Sequence, residues 1–275
     1  MFSSKYRYIC LDLDGTLLDS NKRISTDNQK AINDVHQNGI GFIVATGRHL
    51  EETFHFLKEY NLTECFDYIV YADGCGIYDI VRDKNLGVSL LTNKDVSTIV
   101  KVTDFKNLIF YNENNDYYVF DKLSWGNIYS VLRNNILTKT KVRYLYYPFF
   151  KLFHNNIEKQ KVVIPSISLS KKCELKNNGL YVMETNSITE VLPINKCLAV
   201  KRLLEILNVS CEEVLYFGDE FNDKESFECF DSVVMGNAPA ELLRYSIIHA
   251  KTNDENGVGI ALREIMESNF ENMHE

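Results

Sequence analysis

The chain has 275 residues, 45% of them hydrophobic and 25% charged, and its formal net charge is −8. This composition is that of a folded, soluble protein, and the negative charge argues against general nucleic-acid binding. The seven cysteines include no C-x-x-C pair, which argues against a disulfide framework or a zinc site and favours a cytoplasmic location. No apolar run approaches the ~20 residues that cross a bilayer, so we expect no membrane partner.

The first third of the chain alternates short apolar runs with amphipathic stretches. Apolar runs that end in glycine or acidic residues are typical of buried strands. Strands that alternate with helices predict an α/β fold with a Rossmann-like, doubly wound parallel sheet. The elements predicted here are strand Tyr8–Leu13, a helix capped by Ser25 or Thr26 that runs to Asn38, strand Ile40–Ala45, helix His49–Tyr60 and strand Tyr68–Tyr71.

The middle of the chain has a different character. Its predicted strands, such as Asp116–Phe120 and Gly179–Glu184, are short and alternating. Residues 82–190 carry 16 Lys and Arg against 10 Asp and Glu, a net of +6, whereas the rest carries 14 against 28, a net of −14. We therefore predict an inserted α+β domain over residues 82–190, between core segments 1–81 and 191–275. Its aromatic residues include Tyr111, Tyr117, Tyr118, Trp125, Tyr144, Tyr146, Tyr147, Phe149, Phe150 and Phe153.

The last third of the chain returns to the pattern of the first. Apolar runs again alternate with amphipathic segments. We expect the first and last thirds to form one sheet, with the middle third emerging from it. The predicted elements are helix Lys196–Leu207, strand Val214–Phe217, helix Asn222–Phe230, strand Ser232–Met235, helix Pro239–Tyr245, strand Ile247–Ala250 and a helix over about Gly259–Asn269.

Four polar clusters follow predicted core strands or lie beside them. They are residues 12–18 (DLDGTLL), residues 45–48 (ATGR), Lys196 and residues 218–223 (GDEFND). Any one of them alone is a common turn, helix cap or solvated surface feature. Together they place carboxylates, an ammonium and a hydroxyl at the edge where open α/β sheets bind ligands. Clustered carboxylates repel unless a cation joins them, and oxygen ligands without paired histidines favour Mg²⁺.

On these residues the chain resembles the haloacid dehalogenase superfamily, and most closely its Cof-type phosphatases, which carry a large α/β cap between the second and third motifs. The four clusters look like the four superfamily motifs. Residues 235–241 (MGNAPAE) and 253–262 (NDENGVGIAL) resemble the tail signatures of the Cof group. The resemblance covers the whole chain. It implies a Mg²⁺-dependent hydrolase of small phosphate monoesters, such as sugar phosphates or phosphorylated cofactors, that works through an aspartyl-phosphate.

The resemblance also implies a role for each motif residue. Asp12 is the expected nucleophile, and Asp14 the expected acid and base. Arg48 either orients the site or has a structural role. The expected phosphate-binding residues are Thr46, Gly47, Lys196 and Asn222. The expected Mg²⁺ ligands are Asp12, the backbone carbonyl of Asp14, Asp219 and Asp223, the last of these directly or through water.

Several features depart from the family pattern. Asp73 stands in the turn after the third strand, where the group usually has asparagine, and Cys197 replaces the usual glycine after Lys196. The loop before that lysine is also short. These departures bear on the substrate and on the rate of turnover. They leave open two alternatives on the same scaffold, a non-catalytic protein that binds phosphorylated metabolites and a phosphomutase. The sequence leaves open both the ester and the oligomeric state.

Overall fold

The structure is a computed structural model, which describes residues 5–104, 108–112, 116–120, 142–146, 159–185, 188–248 and 250–271. The chain divides into two compact units: Met1–Val88 with Lys196–Glu275, named here the core unit, and Ser89–Asn195, named the inserted unit. Both boundaries between the two units lie several residues after the predicted ones, which fall between residues 81 and 82 and between residues 190 and 191. The reason is that strand Lys84–Val88 still pairs in the core sheet, whereas strand Ile188–Leu192 pairs in the sheet of the inserted unit.

The described residues form thirteen strands and seven α-helices. The strands are β1 Tyr8–Leu11, β2 Gly41–Ala45, β3 Tyr68–Tyr71, β4 Gly76–Asp79, β5 Lys84–Val88, β6 Leu108–Tyr111, β7 Asp116–Phe120, β8 Val142–Tyr146, β9 Lys161–Pro165, β10 Tyr181–Thr185, β11 Ile188–Leu192, β12 Val214–Gly218 and β13 Asp231–Val234. The helices are α1 Thr26–Gln37, α2 Leu50–Glu59, α3 Asn93–Thr103, α4 Leu169–Asn177, α5 Lys196–Leu207, α6 Lys224–Cys229 and α7 Gly257–Glu271. None of these helices has the length and apolar run needed to cross a membrane.

The core unit holds a seven-stranded sheet in the order β13-β12-β1-β2-β3-β4-β5. The first five of these strands run parallel, and β4 and β5 extend the sheet as an antiparallel hairpin. The central strands are apolar throughout because a parallel sheet is covered on both faces. This confirms the predicted α/β fold, to which the β4–β5 hairpin is an unpredicted addition. The order places the carboxyl ends of β12, β1, β2 and β3 side by side, where the polar clusters lie.

Helix α1 illustrates how the local sequence defines an element. The side chain of Ser25 accepts a hydrogen bond from the backbone N–H of Asn28, as an N-cap should. Ile32 and Val35 are buried on one face of the helix, which packs against α7. Gly39 follows the end of the helix with φ of +87°. The predicted cap and stop of this helix are both confirmed.

Two predicted elements near the C-terminus are wrong. The helix predicted over Pro239–Tyr245 is a series of turns with one 3₁₀ turn at Leu243–Tyr245. So short a segment gains too few hydrogen bonds to offset the cost of helix nucleation. The strand predicted over Ile247–Ala250 is absent from its described residues, and a single bridge joins Ser246, just before this segment, to Ser232. The apolar run is partly exposed, so it has no buried sheet face to fill.

The inserted unit is built on a six-stranded sheet in the order β10-β11-β9-β6-β7-β8. Its pairings are antiparallel except that of β7 with β8. Helices α3 and α4 pack on each other, and a buried cluster that includes Ile99, Phe110 and Leu175 forms the hydrophobic core. The aromatic positions outside the described residues are Trp125, Tyr147, Phe149, Phe150 and Phe153.

Candidate active site

Asp12 is positioned by the end of the central strand β1. Its backbone N–H donates to the carbonyl of Phe217 in β12 at 3.0 Å, so the loops that follow these two strands begin side by side. Asp219 and Asp223 follow β12. All three aspartates are buried, and a carboxylate oxygen from each lies within 4.8 Å of the others. Three of the predicted site residues therefore meet at one edge of the sheet.

Lys196, the first residue of α5, supplies the positive charge of this cluster. Its ammonium donates to the carboxylates of Asp12 at 2.7 Å and Asp223 at 3.1 Å, and its side chain is 2% exposed. Burial lowers the pKa of Lys196, but the charges of Asp12, Asp223 and Asp73 outweigh burial and raise that pKa well above its usual value. Lys196 is therefore a permanent cation. The short loop before it does not prevent it from reaching Asp12.

The carboxylate of Asp223 is held by several donors. The hydroxyl of Tyr216 donates to Oδ1 at 2.7 Å, and the same oxygen accepts from Lys196. The backbone N–H groups of Asp219 and Glu220 point to Oδ2 at 3.3 and 3.4 Å. Burial raises the pKa of Tyr216 well above its usual value, and the charge of Asp223 raises it further, so the phenol stays a donor. Asp223 is thus fixed in one orientation.

Asp219 is oriented by residues that are distant in sequence. The hydroxyl of Thr16 donates to Oδ1 at 3.0 Å, and the amide of Asn237 donates to Oδ2 at 3.1 Å. Gly15 has φ of +83°, and a Cβ there would come within 2.2 Å of Oδ2 of Asp219, so this turn requires glycine. Burial raises the pKa of Asp219 to about 7, with neighbouring carboxylates adding to the rise and Thr16 opposing it. Such a carboxylate is stabilised in its ionised form by a nearby cation.

The three buried carboxylates fit a divalent cation. Asp12, Asp219 and Asp223 form a group in the described part of the chain that could hold a metal ion. Burial raises the pKa of Asp12 well above its usual value, Lys196 opposes this rise, and Asp223 and Asp219 add to it. Three carboxylates against one ammonium leave an excess of negative charge, and a set of oxygen donors suits Mg²⁺. The side chain of Asp14 does not belong to this group, and its predicted metal contact through the backbone carbonyl stays a prediction.

Thr46 and Gly47 follow β2 at the same edge of the sheet. Thr46 is buried, and its hydroxyl accepts from the backbone N–H of Arg48 at 3.2 Å. The carbonyl of Thr46 accepts from the backbone N–H of Asp73 at 3.0 Å. A Cβ on Gly47 would come within 2.9 Å of the Asp73 carboxylate, which is itself buried. The negative charge of Asp73 contributes to raising the pKa of Lys196. The charge that this departure from the family pattern adds therefore stabilises the ammonium of Lys196.

Asp14, two residues after Asp12, lies in a different environment. The guanidinium of Arg48 donates to both of its carboxylate oxygens at 2.8 Å, and Lys22 donates to Oδ1 at 2.7 Å. Burial raises the pKa of Asp14, but the hydrogen bonds from Arg48 and Lys22 outweigh burial and lower that pKa to about 2. Arg48 is held in turn by Glu52 at 3.0 Å. These contacts join Arg48 to Asp14, and the role predicted for Arg48 stays a prediction.

Asn222 lies in the 3₁₀ turn Phe221–Asp223, beside the carboxylate cluster. Its side-chain oxygen is buried and makes no hydrogen bond to the described residues. A buried amide oxygen without a donor is costly, so a bound water or ligand donor is favoured at this position. The role predicted for Asn222 beside the phosphate stays a prediction.

Several side chains that support the site were not predicted from the sequence. Two of them, Thr16 and Asn237, belong to the DLDGTLL and MGNAPAE motifs, so membership of a motif was a usable signal. Tyr216 is the one hydroxyl-bearing residue of the apolar strand β12, which also hints at a buried partner. No signal marks Lys22, because its reach to Asp14 depends on a loop in which Lys22 itself has φ of +60°.

The chain is similar in sequence to known hydrolases. A family model described as haloacid dehalogenase-like hydrolase matches residues 9–262. The chain is 26% identical over 259 residues to the 5-amino-6-(5-phospho-D-ribitylamino)uracil phosphatase YcsE of Bacillus subtilis, with 94% of each chain covered. The four motif clusters all lie inside the matched segment.

Two solved structures share the fold. A haloacid dehalogenase-like hydrolase from Bacteroides thetaiotaomicron aligns with a TM-score of 0.70 at 24% identity, covering 94% of this chain and 99% of that one. The HAD subclass IIB sugar phosphatase BT4131 aligns with a TM-score of 0.72 at 18% identity, covering 94% and 98%. At these identities the likeness supports the fold alone, and it agrees with the predicted sheet architecture.

Proposed function

We propose that this chain, which belongs to the haloacid dehalogenase-like hydrolases, is a phosphatase that hydrolyses small phosphate monoesters through an aspartyl-phosphate on Asp12. The family and the phosphatase activity were predicted from the sequence. The family match and the phosphatases among the relatives confirm both. The route through Asp12, the Mg²⁺ ion and the class of ester are the parts that belong to the proposal.

The arrangement around Asp12 is the observation that carries the proposal. Lys196 donates to Oδ1 of Asp12, whereas no hydrogen bond from the described part of the chain reaches Oδ2. One carboxylate oxygen is therefore oriented by a permanent cation, and the other is available for attack. A buried carboxylate is poorly solvated, which favours its reaction with a substrate that displaces water.

In the proposed reaction, a carboxylate oxygen of Asp12 attacks phosphorus and the P–O bond to the alcohol breaks. Lys196 and the hydroxyl of Thr46 bind the phosphoryl oxygens and offset the charge that they carry in the transition state. Water then attacks the phosphorus of the aspartyl-phosphate, which releases inorganic phosphate and restores Asp12. The chain thus needs a proton donor in the first step and a proton acceptor in the second.

Asp14 is the group proposed for both proton transfers. Held ionised by Arg48 and Lys22, it is ready to accept a proton from the attacking water. To donate a proton to the leaving alcohol, the same carboxyl group must first be protonated. We therefore expect substrate binding to loosen one of the two cationic contacts of Asp14.

Mg²⁺ is the cation that we propose for the buried carboxylates. Its donors would be the side chains of Asp12, Asp219 and Asp223 and the backbone carbonyl of Asp14. When bound, Mg²⁺ offsets the negative charge of these residues and of the substrate. Lys196 alone cannot do so, because a phosphate dianion would add to an existing excess of carboxylates.

Small sugar phosphates and phosphorylated cofactors are the proposed substrate class. Two similar proteins are named as phosphatases of such compounds, one of a phosphoribitylamino uracil and the other of sugars. We further propose that the inserted unit chooses among esters, because its residues 89–195 carry 14 Lys and Arg against 9 Asp and Glu, a net of +5, which favours anionic ligands.

A phosphate-release assay tests the proposal. The full chain would be incubated with sugar phosphates, nucleotides, pyridoxal phosphate, flavin mononucleotide and 5-amino-6-(5-phospho-D-ribitylamino)uracil. We expect release from a subset of these esters with Mg²⁺, none after chelation with EDTA, and recovery when Mg²⁺ is restored. Asp12→Asn should lower the rate by on the order of 10⁴-fold or more, whereas Asp34→Asn, a change at an exposed position on α1, should not.

The same assay separates the alternatives. Full activity after exhaustive chelation would contradict the Mg²⁺ assignment. An isomerised ester that forms in place of free phosphate would identify a phosphomutase. Saturable binding of an ester without turnover would identify a non-catalytic binding protein.

A further inference from the structure

Asn237, in the loop after β13, joins three segments that lie far apart in the sequence. Its side-chain amide donates to the backbone carbonyl of Gly15 at 2.9 Å and to Oδ2 of Asp219 at 3.1 Å. Its side-chain oxygen accepts from the backbone N–H of Asn253 at 3.0 Å. A carboxamide offers two N–H donors and a carbonyl acceptor, so each of these groups is engaged.

The partners of Asn237 explain why this residue is an asparagine. The carbonyl of Gly15 and the ionised carboxylate of Asp219 can only accept a hydrogen bond, and the backbone N–H of Asn253 can only donate one. Position 237 therefore needs two donors and an acceptor on one short, planar group. Aspartate would lack both donors, and serine would have only one. Glutamine would place the same groups farther from the backbone.

The backbone around Asn237 is held close to the carboxylate that its side chain contacts. The backbone N–H of Met235 donates to the carbonyl of Gly218 at 3.0 Å, and Gly218 directly precedes Asp219. The backbone N–H of Ala238 donates to the carbonyl of Met235 at 3.0 Å, which closes a turn that contains Asn237. The amide of Asn237 is thus presented to Asp219 from an anchored turn.

The contact with Asn237 completes the orientation of Asp219. Oδ1 of this carboxylate accepts from the hydroxyl of Thr16 at 3.0 Å, and Oδ2 accepts from Asn237. Donors on both oxygens fix the plane of the carboxylate. When a carboxylate binds a metal ion, the loss of such a supporting hydrogen bond typically weakens metal binding by about 10–100-fold.

The contact with Gly15 acts on the loop that carries Asp12 and Asp14. Gly15 directly follows Asp14, whose backbone carbonyl is a proposed donor to Mg²⁺. With φ of +83°, Gly15 is a position where the backbone turns freely unless it is held from outside. One amide group holds both the Gly15 carbonyl and the Asp219 carboxylate. Asn237 therefore fixes the distance between two of the proposed Mg²⁺ donors.

The exposure of Asn237 indicates that these hydrogen bonds serve orientation more than stability. Asn237 is exposed, whereas Asp219 is buried. Because water can replace a hydrogen bond at the surface, such a bond adds little to the free energy of unfolding. A change at position 237 should therefore affect the carboxylate that it contacts more than the folded state as a whole.

We propose that Asn237 is a positioning residue for the divalent cation, and that its amide holds the Asp219 carboxylate and the loop after Asp12 at the separation that the cation needs. The proposal rests on the Mg²⁺ site of the proposed function. Asn253 has a lesser part. Its amide donates to the carbonyl of Leu18 at 2.8 Å, so it holds the far end of the same loop without contacting a proposed metal donor.

Cation binding without substrate tests the proposal. Mn²⁺ is the probe, because it takes oxygen ligands as Mg²⁺ does and its free concentration can be measured by electron paramagnetic resonance. Asp219→Asn defines the binding that occurs outside the site. We expect Asn237→Ala to raise the Kd for Mn²⁺ by about 10–100-fold. Asn38→Ala, which removes an exposed amide that donates to the carbonyl of Asp34, should leave the Kd unchanged.

Two further variants refine the measurement of the Kd for Mn²⁺. Asn237→Ser keeps one donor, so we expect a smaller rise than for Asn237→Ala, and it serves as the test variant if the alanine variant does not fold. Asn253→Ala should also raise the Kd by less than Asn237→Ala. Urea denaturation in EDTA shows that each variant is folded. A purely structural role for Asn237 would lower stability and leave the Kd of the folded variant unchanged.

Phosphate release supplies a second readout. We expect Asn237→Ala to raise the Mg²⁺ concentration that gives half of the maximal rate by about 10–100-fold, in parallel with the Kd. The rate at saturating Mg²⁺ should stay close to that of the natural chain. A lower maximal rate at an unchanged half-maximal Mg²⁺ concentration would contradict a role in cation binding.

Three results of the Mn²⁺ measurement would overturn the proposal. One is an unchanged Kd in the folded Asn237 variant, which would leave the proposed function standing. Another is a Kd raised as much by Asn253→Ala as by Asn237→Ala, because the effect would then belong to the loop as a whole. The last is a natural chain that binds no more Mn²⁺ than Asp219→Asn, which would also contradict the Mg²⁺ assignment.

Discussion

Asp12 and Asp14 stand two residues apart on one loop, yet their surroundings are opposite. Asp12 is buried with Lys196 and two further carboxylates, and burial raises its pKa well above the usual value. Asp14 has a side chain 40% exposed, and contacts with Arg48 and Lys22 overcome the effect of burial and lower its pKa to about 2. The first environment holds more carboxylates than cations, whereas in the second two cations contact the Asp14 carboxylate directly.

The difference shows how one loop can supply two kinds of chemistry. Where carboxylates outnumber cations in a buried space, a metal ion can balance the excess negative charge and so allow a phosphate to bind. Where two cations contact one carboxylate near the surface, that carboxylate stays ionised and can exchange protons with water. The predictions below test this contrast, beginning with the largest expected effect.

The largest expected effect is a difference in the free energy of unfolding between variants of Lys196 and Lys22. Lys196→Met leaves Asp12 and Asp223 buried without their cation, which should lower the free energy of unfolding by about 3–5 kcal/mol. Lys22→Met removes a contact between exposed groups and should cost no more than about 1 kcal/mol. Urea denaturation at neutral pH in EDTA measures both. Equal losses from the two variants would contradict the contrast between the buried and exposed environments.

Asp219 should make the metal-free protein less stable as pH rises. Its folded pKa of about 7 lies above the ordinary value for aspartate, so its contribution is fully present below about pH 4 and is lost as pH rises through 7. The loss should be on the order of 2–4 kcal/mol and should be absent in Asp219→Asn. Urea denaturation between pH 4 and 8 (roughly the span of the shift) tests this. If the unfolding free energies of the natural chain and of Asp219→Asn changed with pH in parallel in EDTA, the raised pKa of Asp219 would be refuted.

Asp14 should change the stability of the protein with pH in the opposite direction to Asp219, and by a smaller amount. Its folded pKa of about 2 lies below the ordinary value, so its contribution is fully present above about pH 4 and is lost as pH falls to 2. Because the side chain is partly exposed, we expect at most about 1 kcal/mol, and less at high salt. The difference in unfolding free energy between the natural chain and Asp14→Asn should therefore shrink towards pH 2. If this difference in unfolding free energy grew as the pH fell, it would contradict a lowered pKa for Asp14.

The buried half of the site could be predicted from the sequence more fully than the exposed half. Asp12 and Asp219 directly follow apolar strands, and the topology of a parallel sheet brings such positions to one edge. Lys196 was predicted to join them, and the structure places its ammonium on Asp12. The contact of Lys22 with Asp14 was not predicted, because a surface loop with positive φ leaves no periodic pattern in the sequence.

Elements with a clear apolar pattern were also predicted better than exposed ones. The strand Asp116–Phe120 and the helix Lys196–Leu207 have the predicted bounds, since each has a clear apolar pattern that its unit buries. The hairpin of β4 and β5 was missed because β5 is largely exposed and carries no apolar pattern. At Pro239–Tyr245, local propensity predicted a helix that the fold does not use.

The central claim is that Asp12 carries the phosphate and Asp14 moves the protons. Rapid-quench mass spectrometry with p-nitrophenyl phosphate tests it in Asp12→Asn and Asp14→Asn, on the tryptic peptide of residues 8–22. A good leaving group needs little acid help, so Asp14→Asn should accumulate phosphate on Asp12 while its turnover falls by ~10²–10⁴-fold. Asp12→Asn should show no phosphopeptide. Phosphate trapped on the Asp12→Asn peptide, or undiminished turnover by Asp14→Asn, would contradict the account.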